Sequence, residues 1–206
     1  MRKGLFITFE GADGCGKTTQ QGLCAKYLEE KGVEVLLSRE PGATALGVKL
    51  REILLHYPDP VASECETFLY LADRAQHIQE KIIPALEEGK IILCDRHTDS
   101  NIAYQGYGRG IDIDKVKYLN DIAVAGVKPD ITFVFDVDSE IAQERVGKTK
   151  DRLESLGIEF HKKVRNGYLE IAKNEPNRVH VINSNLGIEE VFAQVKKVLD
   201  EKVLEK

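Results

Sequence analysis

Residues Gly11-Ala12-Asp13-Gly14-Cys15-Gly16-Lys17-Thr18 satisfy the pattern G-x-x-x-x-G-K-[ST] in full, directly after an apolar run, Leu5 to Phe9, and directly before a helical pattern. By average residue usage the pattern arises by chance in roughly one chain in a hundred of this length, and its setting between strand and helix sharpens it. The residue types follow from the physics of holding phosphate. Glycines let backbone N–H groups curl around a phosphate, and the following helix points its positive end at the same place. Lys17 would bridge the β and γ phosphates of a nucleotide, and the Thr18 hydroxyl would face Mg²⁺. Cys15 has two readings: a helix N-terminus can lower a thiol pKa and make it an oxidation target, or the residue is there because it is small.

Such a loop needs a sheet to carry it. Short apolar runs at Leu5 to Phe9, Val33 to Leu37, Ile91 to Cys94, Ile131 to Val137 and Val179 to Ile182 alternate with helical patterns. That rhythm predicts an α/β fold with five parallel strands and helices on both faces. Gln21 to Lys31 reads as the first crossover helix, stopped at Gly32, and Ile188 to Leu199 as an amphipathic helix packed back on the sheet. Val146 to Leu156 breaks the pattern with Lys, Arg and Asp and reads as a solvated loop. At 206 residues the chain fits one core domain with a mobile insert.

Composition narrows the partners. A net charge of -5 gives no footprint for duplex nucleic acid, which is bound through clustered Lys and Arg. Cys15, Cys24, Cys65 and Cys94 form no CxxC pair and show no zinc-finger spacing, which fits free thiols in a reducing compartment. With no apolar run near the ~20 residues that span a bilayer, and no room for a leader before Gly4, the expectation is a cytoplasmic protein without a membrane anchor.

The strand Ile91 to Cys94 ends in Asp95-Arg96, at the sheet edge where open α/β folds bind ligands. Asp95 could hold Mg²⁺ through water while Arg96 meets a phosphate. Asp136, at the end of Ile131 to Phe135, competes for the metal role, and Arg96 beside Asp95 favours the former. Arg39, in Arg-Glu-Pro-Gly, and Arg74 read on spacing alone as surface ion pairs, worth about 0–1 kcal/mol each.

Taken together, Phe9-Glu10-Gly11 through Lys17-Thr18-Thr19-Gln20, Arg39-Glu40-Pro41-Gly42-Ala43-Thr44, Leu71-Ala72-Asp73-Arg74-Ala75-Gln76-His77, Asp95-Arg96 with Ser100, Ala103-Tyr104-Gln105-Gly106, Lys128-Pro129-Asp130 and Val164 to Leu169 resemble the thymidylate kinases, particularly the bacterial type. The resemblance covers nearly the whole chain. It implies the P-loop nucleoside monophosphate kinase fold, usually as a homodimer, with ATP and dTMP as substrates, Mg²⁺ as cofactor, and dTDP as product. ATP would lie on Gly11, Ala12, Asp13, Gly14, Cys15, Gly16, Lys17, Thr18 and Thr19. Asp13 matches the acid that receives the deoxyribose 3′-hydroxyl, Tyr70 an aromatic stacked on thymine, and Arg74 the arginine that reads the base. Arg51 and Arg96 match arginines on the dTMP phosphate, with Glu40 near metal and phosphates. Ser100, Asn101 and Gln105 fall against the base, and Tyr104 where a ring crowds the sugar 2′ position. His97 stands where Tyr or Phe is common, and Ala43 where a second glycine is frequent. Bacterial members lack a P-loop arginine and supply one from a lid, here residues 146–156. Arg145 and Arg152 match best as that catalytic charge, with Lys148 and Lys150 between them.

Overall fold

The computed structural model describes residues 4–145 and 151–204. Strands β1 (Leu5–Glu10), β2 (Val35–Arg39), β3 (Ile91–Asp95), β4 (Ile131–Asp136) and β5 (Val179–Asn183) form one parallel sheet in the order β2-β3-β1-β4-β5. Every expected strand is present. Each central strand is buried on both faces, as its unbroken apolar run requires: Phe6, Ile7 and Phe9 of β1 and Ile92, Leu93 and Cys94 of β3 are inaccessible.

Two elements move by more than one residue from their expected places. Helix α1 spans Lys17–Glu30 and so begins before Gln21. Its first turn carries Lys17, Thr18 and Thr19, whose polarity belongs to the loop it follows and hides the helical period. At the other end Gly32, with φ of 77°, closes the helix, and the Val33 N–H still bonds to the Leu28 carbonyl at 3.1 Å. Val33 therefore belongs to the helix stop, and β2 starts at Val35.

Helices α2 (Ala45–His56), α3 (Ser63–His77) and α4 (Ile83–Glu87) link β2 to β3, with a π-helical turn, Ile78–Ile82, between the last two. After β3 come α5 (Thr98–Asn101), a second π-helical stretch, Ile102–Gly108, and α6 (Ile113–Ala123). Then follow α7 (Ser139–Arg145), α8 (Ile158–Asn174) and α9 (Ile188–Leu199). Val191, Val195 and Leu199 bury the inner face of α9 in the same core as α1, as the periodicity predicted. On the opposite face α8 joins the π-helical stretch in a second core containing Tyr104, Val164 and Tyr168.

β1 lies between β3 and β4, so the chain leaves it in opposite directions and a crevice opens at its C-terminal end. Phe9 is in register with Asp95, and Asp95 with Arg39. Glu10, Glu40, Arg96 and Asp136 therefore arrive at one edge of the sheet.

Candidate active site

The phosphate loop is bent by glycine where nothing else fits. Gly11 has φ of 139°, and a Cβ there would lie 2.7 Å from the Phe135 carbonyl oxygen. Gly14 and Gly16 also have positive φ. Ser184, just past β5, donates to the Cys15 carbonyl at 2.5 Å and ties the loop to the sheet. The Cys15 thiol is inaccessible and burial pushes its pKa up, so it is there as a small residue and not as a reactive thiolate.

Lys17 is 6% exposed and lies 3.5 Å from Asp13. Thr18 Oγ1 donates to Asp95 Oδ2 at 3.0 Å, while Asp95 Oδ1 is buried without a hydrogen-bond partner. A hydroxyl and a carboxylate oxygen still lacking a partner form a hard, oxygen-only pair, which suits Mg²⁺ completed by phosphate and water. Asp136 is differently placed: Arg165 grips both its oxygens, at 2.6 and 3.0 Å. Among the described residues no cluster of three or more His, Cys, Asp or Glu could cage a metal on protein ligands alone.

Arg96 is the centre of the site. It adopts φ of 69°, rare for a residue with a side chain, and this turns the guanidinium back over the loop. Nη2 donates to Asp13 Oδ1 at 2.6 Å and to the Tyr104 hydroxyl at 3.2 Å; Nη1 reaches Ser100 and the Tyr168 hydroxyl, each at 3.3 Å. Burial alone would raise the Asp13 pKa, but Arg96 and Lys17 hold it well below the usual carboxylate range. Beneath this layer Glu10 is inaccessible and accepts from the His97 N–H at 2.7 Å, from Ser100 at 2.6 Å and from the Tyr168 hydroxyl at 3.1 Å. Burial, then Asp99, raises its pKa to about 7.

A cleft of about 560 Å³, counting the solvent open to it, lies beside Arg96. Asp13, Glu40, Arg51, Tyr70, Arg74, Arg96, Ser100, Asn101, Tyr104 and Gln105 all line it, together with Pro41, Leu55, Asp151 and Leu153. Every residue expected at the acceptor is thus on one wall or another. A larger opening of about 1370 Å³ runs along Lys17, Thr18 and Asp95 and shares Asp13, Glu40, Arg51 and Arg96 with the first.

Arg51 and Arg74, on the wall of the first cleft, are held by protein partners. Arg51 Nη1 donates to the Pro41 carbonyl at 2.9 Å. Arg74, 2% exposed, gives Nε and Nη2 to Glu40 at 2.8 and 2.7 Å, and Nη1 to Asn101 and Asn120. Glu40 is held in turn by His77 Nδ1 at 2.8 Å, whose Nε2 meets Ser38 Oγ at 2.6 Å. Burial works against the Glu40 charge, but Arg74 and then the histidines bring its pKa down to about 2. Glu40 therefore orients Arg74. Burial lowers His97 to about 3, so the ring is neutral; it packs edge-on against Phe6 at 4.9 Å, the part an aromatic would play.

The two expected lid arginines diverge. Arg145, at the end of α7, donates to the Ser184 carbonyl at 3.1 Å, next to the phosphate loop. Arg152 turns to the Leu54 carbonyl at 3.0 Å and to Glu66 at 2.6 Å, on α2 and α3. Lys148 and Lys150 lie outside the described residues. Sequence reasoning missed Glu10, Glu66, Arg109, Asn120 and Tyr168 as parts of the site. Glu10 left a signal, an acid closing an otherwise apolar strand; the others left none.

A parallel sheet whose first strand feeds a phosphate loop, with a second cleft across a shared arginine, defines a P-loop NTPase-type kinase. The thymidylate kinase family model matches residues 9–195. The chain is 46% identical over 203 residues to the thymidylate kinase of Trichormus variabilis, covering 95% of each chain. It is 48% identical over 198 residues to that of Caldanaerobacter subterraneus subsp. tengcongensis, covering 96% of this chain and 94% of the relative. The crystal structure of thymidylate kinase from Ehrlichia chaffeensis superposes with a TM-score of 0.80 at 43% identity, covering 96% of this chain and 98% of that one. The chain belongs to the thymidylate kinase family.

Proposed function

We propose that the protein transfers the γ-phosphoryl group of ATP to dTMP, giving ADP and dTDP, with ATP on the P-loop side and dTMP in the 560 Å³ cleft. The observation that carries this is the shared wall: Asp13 and Arg96 face both openings, so the two phosphate ends meet there. The attacking atom is a dTMP phosphate oxygen, already ionised at neutral pH, so no strong general base is required. Catalysis then rests on alignment and charge. Arg96 and Arg51 hold the acceptor phosphate, Lys17 the donor phosphates, Asp13 the sugar, Tyr70 and Arg74 the base, and Tyr104 crowds the 2′ side. Thr18 and Asp95 would hold Mg²⁺, which would offset the charge of the donor phosphates. Arg145, which donates to the Ser184 carbonyl beside the loop, would serve the γ-phosphate, and residues 146–156 would form the lid of a single kinase domain.

The exposed apolar side chains Phe68 on α3 and Tyr118 and Ile122 on α6 support a homodimer formed through that face. No described helix is long and apolar enough to cross a membrane; we place the enzyme in the cytoplasm. The test of function is ADP release with ATP and Mg²⁺ across a panel of monophosphates. We expect dTMP first, dUMP behind by the roughly 10- to 200-fold that one buried methyl can supply, and purines lower still. Equal turnover of dGMP and dTMP would overturn the proposal.

A further inference from the structure

Glu66 on α3 is inaccessible and takes two guanidinium groups. Arg152 Nη1 lies 2.6 Å from Oε2, and Arg109 Nη2 at 2.9 Å from the same oxygen, with Arg109 Nε at 3.3 Å from Oε1. Oε1 also accepts from Gln105 Nε2 at 2.9 Å. Gln105 Oε1 in turn accepts from Asn101 Nδ2 at 2.8 Å, and Asn101 Oδ1 accepts from Arg74. A continuous chain of polar contacts therefore runs from Arg152 through Glu66, Gln105 and Asn101 to the arginine expected to read the base.

Arg152 is anchored at more than its charge. Its N–H and Nε bond to the Leu55 and Leu54 carbonyls of α2, at 3.3 and 3.0 Å. The adjoining turn is closed by Asp151 Oδ1, which accepts from the N–H groups of Leu153 and Glu154 at 2.8 Å each. That turn puts Asp151 and Leu153 on the acceptor cleft, with Leu153 buried in the core that holds Tyr104 and Phe160.

We infer that Arg152 and Glu66 are positioning residues for the acceptor: the pair pins the 151–156 turn onto α2 and α3, completes the cleft wall, and fixes Gln105 and Asn101 against the base. This rests on the dTMP reading of the cleft. Removing Glu66 leaves two guanidinium groups unpaired, so it costs more than removing one arginine. The effect should fall on acceptor affinity, because neither side chain reaches the P-loop residues.

The test is calorimetric binding of dTMP without ATP, with steady-state kinetics alongside, for wild type, Arg152→Ala, Arg152→Lys and Glu66→Gln. We expect Arg152→Ala and Glu66→Gln to weaken dTMP binding and raise its KM by about ten- to hundredfold, the scale of a small misplacement. KM for ATP and kcat at saturating dTMP should stay within about threefold, and Arg152→Lys should recover part of the affinity. If Glu66→Gln fails to fold, the two Arg152 variants carry the test. An Arg152→Ala enzyme with unchanged dTMP affinity and a kcat lower by orders of magnitude would place Arg152 on the transferring phosphoryl group and overturn the inference, leaving the function intact. Wild-type protein that binds no dTMP would overturn both.

Discussion

The donor and acceptor halves of this site are built by opposite strategies. The donor half is built mainly from one segment, Gly11 to Thr18, joined by Asp95 of β3: Thr18 is exposed, and Asp95 Oδ1 is buried without a hydrogen-bond partner. The acceptor half draws on β2, α2, α3, β3, the π-helical stretch and the turn after Asp151, and its cations are already committed. Arg74 spends its hydrogen bonds on Glu40, Asn101 and Asn120, and Arg96 on Asp13, Ser100, Tyr104 and Tyr168. Phosphate is recognised by backbone N–H groups that any nucleotide meets alike, so few side chains need be fixed for it. A single base must be told from its relatives, and that needs side chains already held in place.

The largest effect should come from Arg96, one of the four residues shared by both halves. Arg96→Ala is expected to lower kcat/KM for dTMP by about 10³-fold or more, the scale of an arginine on a transferring phosphoryl group, measured by ADP release. An effect confined to KM would assign Arg96 to binding alone. Next, Asp95→Asn should cut kcat by about 10²-fold and shift the Mg²⁺ requirement upward in a titration. Asp136→Asn should leave that titration unchanged and cost only about 1 kcal/mol in thermal unfolding, because its partner Arg165 is a partly exposed ion pair. Reversed outcomes would exchange the two carboxylates.

A smaller effect separates the halves by pH. Glu40 has its pKa lowered from 4.5 to about 2, so its ionised form stabilises the fold above pH 4.5 and that contribution is lost as pH falls towards 2. Unfolding curves of Glu40→Gln should be flatter than wild type across that window, although the variant is less stable at pH 7 by about 3–5 kcal/mol. Glu10 has the opposite sign. Its pKa is raised to about 7, so it draws stability down as pH rises from 4.5 to 7, and Glu10→Gln should remove that slope. Identical slopes in wild type and variants would mean that these carboxylates are not held as the contacts describe.

What could be read from the chain follows the same division. The P-loop, the strands and the C-terminal helix are local patterns, and all were legible; only α1 and β2 shifted by more than one residue, where ligand-facing polarity and a helix stop mask the period. The residues that line the first cleft were singled out through family resemblance, since Arg74 on spacing alone is an unremarkable charge. Their supports were not legible at all. Glu66 meets Gln105 and Arg109 across 39 and 43 residues, and such contacts exist only once α3 has packed beside the π-helical stretch. Arg152 is a further case: in the sequence it is one charge of a basic segment, and its pairing with Glu66 exists only in the fold.

The most direct test of this division is a crystal structure of the protein with dTMP and a non-hydrolysable ATP analogue. The expected result is thymine against Tyr70 and Arg74, the dTMP phosphate between Arg51 and Arg96, and an acceptor wall whose Glu40, Glu66, Arg74 and Gln105 keep the contacts described here. Thymine bound away from Tyr70, or an acceptor wall that forms new partners on binding, would contradict it.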